Sequence, residues 1–185
     1  MYEVETYTDV DGNRVTINYD ECDYGDGPRD WENLGTMACW HGRYELGDEQ
    51  PKCSPDEYLE DLPKGTIILP LYLYDHSGIT MSTSPFSCPW DSGQVGIIYA
   101  TPERIRECFI DRVDDDRVRQ ALVAEVKTYD EYLTGEVYNF VVESPSECDH
   151  GDTHWEFVDS CGGFYGDDGI AEIKSQYPER VAVSA

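Results

Sequence analysis

The sequence predicts an α+β fold: a mixed, mainly antiparallel sheet with an N-terminal hairpin and two or three helices packed on one side. Three observations carry this expectation. β-Branched and aromatic runs have strand length, capping motifs open short helices, and one long stretch places apolar residues at helical spacing. Val4 to Thr8 and Val15 to Tyr19 flank the turn Asp11-Gly12-Asn13 and predict the hairpin. Ser54-Pro55-Asp56-Glu57 is a capping box with proline at the first helical position, opening a helix to about Leu62. Thr66 to Tyr74 and Gln94 to Ala100 read as central strands, with Pro70 marking a bulge or an edge. Thr101-Pro102-Glu103 opens a helix to about Asp111, and Asp114 to Leu133 forms a longer one closed by Gly135. On that helix Val118, Leu122, Val126, Tyr129 and Leu133 share a face that should meet the core. Glu136 to Val142 and His154 to Val158 return to strand, and a short helix covers Ile170 to Tyr177.

A length of 185 residues suits one domain. No basic start precedes an apolar run, and the longest apolar stretch, Ile67 to Tyr74, is interrupted by Pro70, so neither secretion nor a membrane span is expected. The seven cysteines are odd in number and include no CxxC pair, which favours reduced thiols in a cytoplasm. Thirty-nine acids face thirteen bases, a net charge of -26 that repels phosphate backbones and anionic lipid. The partners this charge suits are nucleic-acid-binding proteins, not nucleic acid.

A magnitude limits that idea. Duplex DNA carries one charge per roughly 110 Å² of its surface. A folded protein of this mass is expected to expose roughly 9,000 Å², or one net charge per roughly 350 Å². Imitating a duplex therefore requires clustering. The sequence clusters its acids in residues 1–30, which hold nine against two bases, and in 45–61, which hold seven against Lys52. Between Pro63 and Pro102 only Asp75 and Asp91 are acidic, and that stretch reads as core.

Two blocks combine rigid, polar and aromatic residues outside any simple period: Asp30 to Asp48, with Asn33-Leu-Gly-Thr-Met37 inside it, and Leu69-Pro-Leu-Tyr-Leu-Tyr-Asp-His-Ser-Gly-Ile-Thr-Met-Ser-Thr-Ser-Pro-Phe-Ser-Cys-Pro-Trp-Asp-Ser-Gly-Gln-Val-Gly96. With Tyr132-Leu-Thr-Gly-Glu-Val-Tyr138 and Asp159 to Asp168, they resemble a family of small proteins encoded by phages, prophages and conjugative elements. The resemblance spans about Asp30 to Asp168 and implies a genomic setting more than an activity. Small acidic proteins from such elements often resemble inhibitors of host defence, anti-CRISPR or anti-restriction, acting in the cytoplasm of a bacterial host; this is analogy of setting and charge.

The expected role is a non-catalytic, DNA-mimicking inhibitor that needs no cofactor. Its partner-binding candidates are Asp9, Asp11, Asp20, Glu21, Asp23, Asp26, Asp30, Glu57, Glu60 and Asp61. An alternative is a metal-dependent hydrolase or nuclease-like enzyme centred on Asp75, His76 and Asp91, with Ser77 and Cys88 nearby. The competing reading of those residues is structural: turn bonds for Asp75 and Ser77, a filler role for Cys88. Cys148, His150, His154 and Cys161, with Cys39 and His41 elsewhere, hold the soft ligands zinc prefers but fit no standard finger spacing. Most aromatics belong to packing; Tyr19, Tyr24 and Trp31, which lie among acids, are the interface candidates. An acidic accessory protein with no defence target remains a third reading, favoured by evenly spread charge.

Overall fold

The structure, a computed structural model, describes residues 2–20, 27–109, 113–147 and 153–180. In chain order its elements are β1 (Glu3–Thr8), β2 (Arg14–Tyr19), β3 (Thr36–Cys39), α1 (Pro55–Asp61), β4 (Ile67–Asp75), β5 (Ile79–Ser82), β6 (Ser92–Ala100), α2 (Pro102–Cys108), α3 (Asp115–Thr134), β7 (Val137–Glu147), β8 (Thr153–Tyr165) and α4 (Gly166–Gln176). The fold is α+β, with the predicted N-terminal hairpin. Within the chain two compact units are distinguished by their packing. Met1–Asp23 and Gly135–Ala185 make a split unit, and Tyr24–Thr134 is inserted between its halves. Each has its own four-stranded sheet and its own buried apolar clusters.

The split unit is an antiparallel sheet of order β1-β2-β7-β8. Gly12 takes the turn between β1 and β2 at φ 89°, a left-handed conformation that a side chain would oppose. Alternation along β2 and β7 sends Val15, Ile17, Tyr138, Phe140 and Val142 to one face, where Ile173 of α4 closes the cluster. Both late strands outrun their predicted ends. Because β2 pairs only with Tyr138 to Glu143, Ser144–Glu147 and residues 153–156 pair with each other alone among the described strands, forming a two-stranded ribbon beyond the sheet.

The inserted unit has sheet order β3-β6-β4-β5. Val118, Leu122, Val126 and Tyr129 of α3 pack against Met37, Leu71, Leu73 and Ile98. Neighbouring positions point the other way, so Ala38, Ile97 and Tyr99 meet Tyr58 and Leu62, in and just beyond α1. Helices thus flank both faces of this sheet, where the sequence suggests one. Pro70 lies in β4 beyond the reach of β5, whose register covers only Tyr72 to Asp75, and a register shift follows at Leu71/Tyr72. The missing N–H is tolerated where β4 has a single neighbour.

Local signals explain the helix ends. The capping box forms, with Glu57 N–H donating to Ser54 Oγ (3.3 Å) and Ser54 N–H to Glu57 Oε2 (2.9 Å). Arg104 N–H donates to Thr101 Oγ1 (3.2 Å) at the start of α2, which stops at Cys108, short of the predicted end at about Asp111, because Phe109 is already extended; residues 110–112 fall outside the described residues. Gly135 at φ 79° follows the end of α3. Among the described residues no helix is long and apolar enough to cross a membrane.

The first motif block owes its form to Arg29. Its guanidinium grips Asp48 through two bonds (2.9 and 2.6 Å), reaches Glu125 of α3 (3.2 Å) and donates to Gly35 O (2.6 Å). Glu125 also accepts from Leu34 and Gly35 N–H, and Asp48 from Met37 N–H. Burial works against the Arg29 charge, but Asp48 and Glu125 outweigh it and hold its pKa above the ordinary arginine value.

Candidate functional site

The acidic candidates divide by unit. Asp9, Asp11 and Asp20 belong to the split unit, Asp30, Glu57, Glu60 and Asp61 to the inserted one, and Glu21, Asp23 and Asp26 lie outside the described residues. Asp9 is corrected outright: it is 2% exposed. Its Oδ1 accepts from Asp11 N–H (3.0 Å) and Asn13 N–H (2.8 Å), and Oδ2 from Asn13 Nδ2 (2.9 Å), so it ties the hairpin turn and faces no partner. Asp20 is half-buried and accepts from Gly163 N–H (3.1 Å). Asp30 is exposed and closes the 3-10 turn at Pro28–Asp30 through Gly27 N–H (2.8 Å). Asp11 is exposed.

Glu57 is occupied by its cap, where the Ser54 backbone and then side-chain hydrogen bonds hold its pKa below the usual carboxylate value. Asp56, Glu60 and Asp61 are exposed, and among the described residues no base pairs with them. Seven helical residues span about 10 Å, so four carboxylates give α1 one charge per about 2.6 Å of axis. A DNA duplex has one per about 1.7 Å and a single strand one per about 3.4 Å. The mean surface density falls well short of a duplex, whereas the line density of this helix lies between that of a single strand and that of a duplex. Asp56 with Glu60 and Glu57 with Asp61 are like-charge pairs at i,i+4, an arrangement that weakens a helix.

Pairing of β4 with β6 does converge the alternative site. Asp75 N–H donates to Asp91 O (2.8 Å), bringing together the end of β4 and the residue that leads into β6. Ser77 takes φ 61° in the turn to β5, and His76 Nδ1 lies 3.2 Å from Asp91 Oδ2, which is also 3.8 Å from Cys88 Sγ. Thiol and imidazole thus address the same carboxylate oxygen. The Asp75 carboxylate is taken by Arg43 (3.2 Å) and the Tyr44 hydroxyl (3.4 Å). Among the described residues no three His, Cys, Asp or Glu side chains are placed to hold one metal ion, so the metal-dependent form of this alternative lacks a ligand set. An open cleft of about 370 Å³ adjoins it, lined by His41, Asp75, Trp90 and Asp91.

No family model, curated protein or solved structure matches the chain.

The zinc candidates separate. Cys148 and His150 fall outside the described residues; His154 and Cys161 stand seven residues apart on the extended β8, about 23 Å along the strand, too far to share an ion. Cys39 is buried in the core, and burial, with Asp48 adding to it, pushes its thiol up to about 12. His41 Nδ1 accepts from Tyr44 N–H (3.1 Å), making it a loop-holding group. Among the interface aromatics Tyr19 stacks at a tilt on Tyr138, Trp31 is half-exposed, and Tyr24 is outside the described residues. Sequence reasoning passed over further exposed rings, Trp90 (91%) and Phe157 (68%) among them. Strand alternation around Phe157 was visible, but which face would be left uncovered was not.

Proposed function

We propose that the protein is a mobile-element inhibitor of a host defence nucleoprotein complex, anti-CRISPR or anti-restriction. It acts without catalysis, by placing carboxylates in a basic DNA-binding groove in the cytoplasm of a bacterial host. The observation that carries this reading is α1, whose exposed, base-free carboxylates reach a line density between single- and double-stranded DNA at a cost to the helix itself. Such a surface suits charge-assisted bonds to arginine and salt-sensitive association. The clustering that supports it is local to α1, since the acidic segments 1–30 and 45–61 lie largely in different units.

The test is inhibition of a CRISPR surveillance complex or a restriction enzyme by Glu60→Lys with Asp61→Lys, which leaves the Ser54–Glu57 cap in place. Inhibition and pull-down at low salt should fall at least about tenfold. Unchanged potency would refute the DNA-mimic reading. The hydrolase-like reading has one geometric support, the His76–Asp91 contact; it requires turnover that His76→Ala removes without loss of fold.

A further inference from the structure

We infer that the ribbon of β7 and β8 is an aromatic anchor for a basic protein surface that carries an apolar pocket bordered by arginine or lysine. Register pairs Pro145 with Trp155 and Glu143 with Phe157, so these four side chains share one face. A two-stranded ribbon is marginal alone in water, and this one is braced at its base. Arg14 donates to Glu143 Oε2 through Nε (2.9 Å) and Nη2 (2.5 Å), and its guanidinium lies 4.4 Å from the centre of the Trp155 ring. The brace holds Trp155 oriented at 37% exposure, while Phe157 is 68% exposed and Val158, at a register shift, 50%. None of the three joins the buried cluster of the split unit or packs against it. The buried core of the sheet therefore does not require them, and pre-oriented aromatics where the ribbon leaves the sheet are what protein interfaces use as anchors.

Charge selects the occupant. The split unit holds eighteen acids and three bases in 74 residues, a net -15. Two of its bases, Arg14 and Lys174, are already paired with Glu143 and Glu5. A second copy of this chain and any nucleic acid are repelled, whereas a basic protein is drawn in and leaves the rings to seat in an apolar pocket. This rests on the reading that the partner is basic and adds where, and through which contacts, it is held.

The experiment uses the full chain and two labelled probes at low salt, hexa-arginine and a twelve-residue peptide alternating arginine with leucine, followed by fluorescence anisotropy. The alternating peptide should bind at least about tenfold more tightly. Trp155→Ser with Phe157→Ser should erase that preference while leaving hexa-arginine affinity and the circular dichroism spectrum of the folded chain unchanged, and Phe157→Leu should retain it. Equal binding of both probes to the native chain, or a preference that survives the double substitution, overturns the anchor and leaves the acidic reading intact. Failure of both probes to bind overturns the anchor and the acidic reading together. A dimer by light scattering that Phe157→Ser converts to monomer also overturns the anchor, by assigning the patch to a second copy.

Discussion

The two units treat charge in opposite ways. The inserted unit has twenty-one acids and ten bases in 111 residues, a net -11, and several of its acids are structural: Asp48 and Glu125 on Arg29, Asp75 on Arg43, Glu107 on Arg104, Glu131 on Lys127. The split unit reaches -15 in 74 residues with only three bases to offset its acids. Its charge is thus about twice as dense per residue and far less neutralised locally. Acids that hold the inserted unit together are largely paired with bases, whereas those of the split unit are held by backbone and hydroxyl donors or left to repel one another.

The comparison is broken most severely through the cores. Phe140→Ala should cost about 3–5 kcal/mol and Leu122→Ala about 2–5 kcal/mol. Hydrogen exchange should report the first at Val15 to Asn18 and the second at Met37 to Cys39; equal loss at both places in either variant would mean the units do not have separate cores. Arg29→Ala should follow at about 3 kcal/mol, because it leaves Asp48 and Glu125 without their shared cation, and urea melts monitored at α3 would read it.

Titration sharpens the contrast. In the split unit Tyr7 is pushed up to about 12, by burial first and then by nearby acids, and Tyr177 to about 12, chiefly because its hydroxyl donates to Asp159. A raised folded pKa means that this contribution is complete below about pH 10 and lost as the pH climbs toward 12. Tyr177→Phe should flatten that alkaline loss, as followed by near-ultraviolet dichroism. Glu57 has the opposite sign: its lowered pKa gives α1 a contribution present above the ordinary carboxylate pKa and lost as the pH falls through the lower folded value. The smallest effect is also the most diagnostic. Glu60→Gln should stabilise α1 by about 0.2–0.5 kcal/mol by removing a like-charge pair, so a destabilised α1 by exchange would mean that Glu60 has a structural role.

How much of this was legible varies with the range of the interaction. Helix starts at Ser54 and Thr101 were readable because caps are local chemistry, and the α3 face because its spacing repeats over twenty residues. β3 and β5 escaped notice, being four residues long and too short for alternation to register. The division into two units was invisible, because it depends on Ile17 pairing with Phe140 and no local signal announces such a partner. Among site residues, Asp9 was misread as a surface acid although Asp-x-x-Gly-Asn is turn chemistry, and only the fold showed its carboxylate turned inward. The convergence of Asp75, His76, Cys88 and Asp91 was anticipated, but not that Arg43 and Tyr44 would engage the first carboxylate.

The insertion of one unit into the other also sets an order of events at the ribosome. The Tyr24–Thr134 unit is complete in the emerging chain before β7 exists, whereas β2 must wait for a partner more than a hundred residues downstream. At ordinary elongation rates that delay is roughly 6–25 s, far longer than a hairpin takes to close. During it the nascent β1–β2 hairpin has an unfilled edge and the apolar face of Val15 and Ile17 uncovered. Glu3, Glu5, Asp9, Asp11 and Asp20, opposed there by Arg14 alone, would keep neighbouring nascent chains apart by like-charge repulsion while that edge stays open.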